Sequence, residues 1–238
     1  MTPEKYKQDG TVTRFFHRPL SFPLAFLFLN IGWSPNSVTY LSIIACLCGF
    51  ASTLIPSIIF HYIAIALFML FGTLDCVDGN MARTIRNRRE KVGVSYGSWV
   101  DALGGYFAYT SMLLGLGLSC MLVAADRLPG TGFSVPGGAA SWMVISAVCC
   151  SANLLMRLVF QSWRVVSEDK GTSGIASEKR FSEEIGITGW FQPCYLIGLI
   201  TGFLPWMLLF YTFIYCGGCF VTVLKLILKV EKSETKTS

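Results

Sequence analysis

Residues 58–83 read IIFHYIAIALFMLFGTLDCVDGNMAR: seventeen positions without a charge, then two aspartates three apart, a glycine, an alanine and an arginine. The apolar run has the length of a membrane span, and it leads straight into acid. The surroundings fit the same reading. No Asp, Glu, Lys or Arg occurs in the 56 positions 19–74 or in the 40 positions 185–224, although the 238-residue chain carries 19 basic and 14 acidic residues. Hydrophobic residues make up 53% of the chain and charged residues 14%, where a soluble domain carries roughly 25% charged. With a mean hydropathy of +0.56, this composition excludes a soluble protein. A span needs about 20 apolar residues to cross a hydrocarbon core of about 30 Å, so each gap accommodates about two. The N-terminus is polar and no short apolar segment precedes the first long span, so no signal peptide is expected.

The chain divides into six predicted spans. Pro35 opens the first, which ends at Pro56; the second covers Ile58 to Leu74, the third about Gly97 to Ala125, and the fourth about Ala139 to Val166. Gly202-Phe-Leu-Pro205 breaks the C-terminal gap into a fifth and a sixth. Ahead of them, Phe15 to Trp33 is aromatic-rich, headed by Arg14 and Arg18, and interrupted by Pro19 and Pro23. It reads as an amphipathic helix lying at the headgroups. The expected architecture is therefore all-α and integral to the membrane, a single six-span domain over 1–238 with an interfacial helix at 11–33 and a bundle at 34–230.

Lys and Arg are distributed unevenly among the connections. Seventeen lie before the first span, in 83–91, between Arg164 and Arg180, and in the tail from Lys225; the remaining connections hold only Arg127. By the positive-inside rule both termini, and the loops after spans two and four, face the cytoplasm. The net charge of +5 is split among these loops, which suits lipid headgroups and argues against nucleic acid. All nine cysteines fall in or at the ends of apolar stretches, so no disulfide framework is expected; Cys216-Gly-Gly-Cys219 lacks a second pair to complete a metal site and receives no role.

Asp75, Asp78, Asp101 and Arg157 are the charges at or within spans. A carboxylate there costs about 2.5–3.5 kcal/mol on insertion scales, so three require a compensating partner. Asp75, Asp78, Gly79 and Ala82 follow helical spacing on one face, and Asp101 opens the next span with Gly97 and Gly105 one turn away on either side. Three converging oxygen donors suit Mg²⁺, Mn²⁺ or Ca²⁺. The small residues give clearance for a bulky group, and Arg83 suits phosphate, so the set points to a diphosphate ligand. A helix-end ion-pair network, with Asp75 and Asp78 held by Arg83, Arg86 and Arg88, accounts for the charges but not for the glycines.

The segment Asp75-Cys-Val-Asp78-Gly79-Asn-Met-Ala82-Arg83, followed by Gly97-Ser-Trp-Val-Asp101, resembles the signature D-x-x-D-G-x-x-A-R…G-x-x-x-D-x-x-x-D of the CDP-alcohol phosphotransferase (CDP-alcohol phosphatidyltransferase) family. Ser34-Pro35-Asn36-Ser37-Val38-Thr39 is similar to the family's P-N-x-x-T. The resemblance implies a Mg²⁺- or Mn²⁺-dependent transfer of a phospho-alcohol or phosphatidyl group from a CDP-alcohol to an acceptor, with release of CMP. It implies Asp75, Asp78 and Asp101 as metal ligands, and Thr39, Gly79, Ala82, Arg83 and Gly97 at the nucleotide and diphosphate. The partners expected are a CDP-alcohol donor, a lipid or small anionic acceptor and membrane lipids, with room for a homodimer.

Two features depart from that signature. The stretch between Arg83 and Gly97 is long and basic; a register through Gly93 restores the spacing but puts Gly97 at the third aspartate. In the preferred register the fourth aspartate, the general base, is Gly105. Losing a base costs about 10²–10⁴-fold if nothing replaces it. His61 is fourteen residues from Asp75, about 21 Å along a helix, and is excluded. Tyr106, Tyr109, Glu168, Glu183 and Glu184 are weaker substitutes. An acceptor that is already anionic needs none, and Arg157 and Arg164, seven apart on span four, are candidates to hold it. A catalytically inactive nucleotide- or lipid-binding relative, and a small ion- or proton-coupled transporter, are the competing readings.

Overall fold

The computed structural model describes residues 9–88, 97–124, 128–131, 134–166 and 184–234. Among them are seven α-helices of ten or more residues: α1 (Arg18–Asn30), α2 (Pro35–Thr53), α3 (Ile58–Arg88), α4 (Gly97–Val123), α5 (Ser141–Val166), α6 (Gln192–Thr201) and α7 (Leu204–Glu234). π-Helical turns at Thr13–His17 and Ile187–Phe191 lead into α1 and α6. Five helices, α2, α3, α4, α5 and α7, are long and apolar enough to cross a membrane, and the protein is integral to the membrane. The expected fifth span corresponds to α6 and its π-turn, fifteen residues rising about 20 Å.

Local chemistry sets the helix ends. Ser34 Oγ accepts from Ser37 N at 3.1 Å, and Pro35, with its fixed φ and no N–H to satisfy, takes the first turn of α2. Helix α3 continues for fourteen residues beyond the end of its apolar run at Leu74. With Ile58 at one membrane boundary, Asp75 lies about 26 Å along the axis, close to where a 30 Å core ends. Gly202, at φ 79°, closes α6 in the left-handed conformation and turns the chain into α7 within two residues. Helix α1 runs uninterrupted through Pro23, so proline costs that segment one backbone hydrogen bond without breaking it.

Helix α2 is wedged against both α3 and α4, which touch each other less, while α5 packs on α4 and α7. Close approach follows from small residues. A Cβ on Gly49 of α2 would lie 2.8 Å from the Phe68 ring of α3, and Gly117 of α4 packs directly on Ser146 of α5. Trp142, Phe68, Phe71, Leu113, Leu116, Phe191, Tyr195 and Leu208 form the main core. Helix α1 is inverted relative to a soluble helix: with the π-turn it turns Thr13, His17, Arg18 and Ser21 inward, and Phe15, Phe16, Phe22 and Phe26 outward. Polar inside and aromatic outside is the arrangement of a segment whose outer face meets an apolar medium.

A carboxylate-lined cavity at the α2–α4 end

Asp75 and Asp78 project from α3 and Asp101 from the first turns of α4, and a carboxylate oxygen from each lies within 4.8 Å of the other two. Asp78 is buried, Asp75 half-buried and Asp101 exposed. Thr39 Oγ1, on α2, lies 2.6 Å from Asp78 Oδ2 and 3.2 Å from Pro35 O. The shorter contact marks the carboxylate as the acceptor of its proton, which fixes one oxygen of Asp78 and orients the other. The wedge position of α2 is what brings Thr39 to Asp78.

The carboxylates open on a cavity of about 420 Å³. Its walls include every member expected from the nine-residue motif (Asp75, Asp78, Gly79, Ala82, Arg83), together with Thr39, Gly97 and Asp101. Arg83 folds back over Gly79, where a Cβ would lie 3.4 Å from its Nη2. Arg83 Nη2 donates to Asn80 Oδ1 at 2.8 Å. The donor set, three carboxylates and a threonine hydroxyl, has the chemistry of a hard divalent cation site.

Gly105 is not among the lining residues, and a Cβ built there would meet nothing within 4 Å. Tyr109 stacks edge-on to Tyr215 and lies under Arg157, whose Cζ is 3.7 Å from the ring centroid. Arg157 Nε also donates to Asn153 Oδ1 at 3.2 Å. Tyr109 sits eight positions beyond Asp101 on α4, about 12 Å deeper, and Arg157, held over it from α5, is not among the residues lining the cavity. The side chain of Arg164, and all of Glu168 and Glu183, lie outside the described residues. Glu184 accepts from Thr11 N and Thr11 Oγ1 at 3.0 and 2.8 Å, an anchoring role. His61 bonds Ser119, eighteen residues along α4 from Asp101.

Sequence reading missed the contribution of the N-terminal segment. Asp9, Thr13, Arg18 and Thr188 also line the cavity. Arg18 Nε and Nη2 donate to the two Asp9 oxygens at 2.7 and 3.2 Å, both residues being buried. Asp9 holds the Arg18 guanidinium above its usual range against the opposing cost of desolvation. His17 docks the segment on α3: Thr73 Oγ1 donates to Met69 O at 3.1 Å and accepts from His17 Nδ1 at 3.0 Å, which sets the imidazole tautomer. Burial pushes that imidazole down to about 4, so it is neutral near pH 7. Gly72 permits the approach, since a Cβ there would be 2.9 Å from the ring. The available signal is Arg18 beside a proline at the head of the aromatic-rich segment, which reads as an interfacial helix.

Fold and cavity together define an integral membrane protein with an acidic, arginine-flanked cleft at the ends of three helices. A family model described as CDP-alcohol phosphatidyltransferase matches residues 33–214, and the chain belongs to that family. The family is one of transferases that move a phospho-alcohol from a CDP-alcohol in membranes, as in phospholipid biosynthesis, and its members generally depend on a divalent metal. None of the curated protein sequences compared with the chain matches it.

Proposed function

We propose that the protein transfers the phospho-alcohol or phosphatidyl group of a CDP-alcohol to an acceptor that is already anionic at neutral pH. The observation that carries the reading is the convergence of Asp75, Asp78 and Asp101, oxygens within 4.8 Å, on a cavity flanked by Arg83. The three aspartates would hold Mg²⁺ or Mn²⁺, which when bound neutralises the donor diphosphate and stabilises the departing CMP. Arg83 would orient the diphosphate. Gly79, Ala82 and Gly97 leave the wall free of side-chain bulk for the nucleotide, and Thr39 keeps Asp78 aligned. An acceptor oxygen attacks the β-phosphorus; the new P–O bond forms as the bond to the bridging oxygen breaks, and that oxygen leaves on CMP.

A neutral alcohol must also shed a proton whose pKa starts near about 15.7. The position expected to hold the base that takes it is occupied by Gly105. A phosphate, phosphonate or carboxylate acceptor has no such proton, and a fourth carboxylate beside it would repel it. Lipid or a second copy of the chain would cover the aromatic outer face of α7, which carries the exposed Phe210, Phe213 and Phe220.

Six crossings with both termini and the cavity cytoplasmic are the reading favoured by the Lys and Arg distribution and by two contacts at opposite ends of the bundle. Trp206 Nε1, at the start of α7, donates to Pro129 O in the α4–α5 connection at 3.0 Å, whereas Thr188 O, ahead of α6, accepts from Thr13 Oγ1 at the cavity end at 3.0 Å. These contacts support a path in which the π-turn and α6 run from one end of the bundle to the other.

The test is CMP release by purified protein with Mg²⁺, comparing a CDP-alcohol with and without phosphate-bearing acceptors, followed by Gly105→Asp. The open space at Gly105 accommodates the added carboxyl. The variant should lose activity on the anionic acceptor or turn to neutral alcohols. A large gain on a hydroxyl acceptor already used by the unaltered protein would refute the anionic acceptor, and no CMP release from any donor would favour a non-catalytic binding relative.

A further inference from the structure

Outside the matched region 33–214, the N-terminal segment sends one ion pair into the cavity, and its connections run to the arginine of the motif. Arg18 Nη1 donates to Asn80 Oδ1 at 3.2 Å, and the same oxygen accepts from Arg83 Nη2 at 2.8 Å. Asn80 Nδ2 donates to Ser21 Oγ at 2.8 Å, and Ser21 Oγ donates to Arg18 O at 2.8 Å. The Ser21 hydroxyl, its proton committed to a carbonyl, can only accept from Asn80, which fixes the amide with its oxygen towards the two guanidiniums. Asn80 is a variable position of the motif.

Resting on the functional reading above, we infer that Asp9, Arg18 and Asn80 form a relay that positions Arg83 on the donor's diphosphate, making the segment ahead of α2 part of the donor site. Two guanidiniums converging on one carbonyl oxygen repel each other. Asp9 offsets this by holding Arg18 bidentately, a geometry that a lysine cannot reproduce. A strut serving only to dock α1 would have no reason to face the cavity, yet Asp9 and Arg18 both line it. The strap is fastened from above: Thr11 bonds Glu184 and Thr13 Oγ1 donates to Thr188 O, which keeps Asp9 over the cavity. Arg83 is thus held between Asn80 and the bare backbone of Gly79, pointing where a diphosphate would lie. Arg18 is a positioning residue in this scheme, acting through Arg83.

The experiment is a double-mutant cycle on the full chain in nanodiscs, reading the Kd for CDP with Mg²⁺ in the unaltered protein, Arg18→Ala, Arg83→Ala and the double variant. Loss of a hydrogen bond to a charged group predicts that Arg18→Ala weakens CDP about ten-fold or more in the unaltered background. In the Arg83→Ala background it should change CDP less than about two-fold, since the group it positions is gone. Arg18→Lys should behave like Arg18→Ala for CDP while keeping the thermal midpoint nearer the unaltered value. Equal factors in both backgrounds, or no effect of Arg18→Ala at all, would overturn the relay and leave the functional reading standing. Failure of the unaltered protein to bind CDP, or full affinity in Arg83→Ala, would sink that reading and the relay with it. If Arg18→Ala does not fold, Asp9→Asn, which keeps the shape and releases the fork, takes its place in the cycle with the same expected outcomes.

Discussion

At one end of α3 and α4, Asp75, Asp78, Asp101, Arg83, Asp9 and Arg18 surround a cavity of about 420 Å³. At the other end, His61 Nδ1 lies 2.6 Å from Ser119 Oγ, which in turn lies 2.6 Å from Tyr195 Oη. Both ends bury polar side chains in a chain that spans a membrane, where an unsatisfied polar group is costly. The difference lies in charge and space. The His61 end joins an imidazole and two hydroxyls across α3, α4 and α6 inside the main apolar core. The Asp78 end brings three carboxylates within 4.8 Å of one another beside an open cavity that Arg18 and Arg83 also line. Burial of a polar group is therefore a poor guide to function, whereas clustered charge beside open volume is a good one.

The comparison can be broken most severely at Asp78. Asp78→Asn should lower CMP release on the order of 10²-fold or more, as loss of a principal electrostatic group does, with the thermal midpoint little changed. An equal loss from Ser119→Ala would show that the two ends do not differ in kind. A smaller effect is expected from Thr39→Val, which removes the hydroxyl that orients Asp78 Oδ2 and leaves every carboxylate in place. The Mg²⁺ concentration for half-maximal activity should rise about 10–100-fold, the range for residues that hydrogen-bond a metal ligand and orient it. Unchanged metal dependence would mean that Thr39 serves the helix α2 start alone. The smallest effect on activity belongs to Ser119→Ala. It should destabilise the fold by about 1–3 kcal/mol, because His61 and Tyr195 lose their shared partner, while the apparent KM for donor and the Mg²⁺ requirement stay the same. A shifted KM would connect the closed network to the cavity.

Much of the site was legible because its residues are close in sequence. Asp75, Asp78, Gly79, Ala82 and Arg83 lie within nine positions of one helix, and helical spacing alone puts them on one wall. Asp101 and Gly97 could be added because the next apolar run had to start near them. The length of α6 was less legible: periodicity in an uncharged gap does not separate ten α-helical residues behind a π-turn from a full span, and only the Gly202 turn was marked. Glu184, which the sequence offers as a weaker substitute base, anchors Thr11 across 173 positions.

The sequence by itself determined that the chain is a helical membrane protein, where its apolar runs fall, and which acidic face would gather, because charge depletion and helical period are local properties. The tertiary structure decided which partners those residues meet. It put Thr39 on Asp78 by wedging α2 against α3 and α4. It left Arg157 over Tyr109 instead of beside the carboxylates, because α5 meets α4 two turns deeper. It made Arg18, expected only at the head of an interfacial helix, a wall of the cavity, because the polar face of α1 packs inward on Asn80. None of these pairings has a signature along the chain, since each joins residues about 40 to 60 positions apart whose distance is set by how the helices pack.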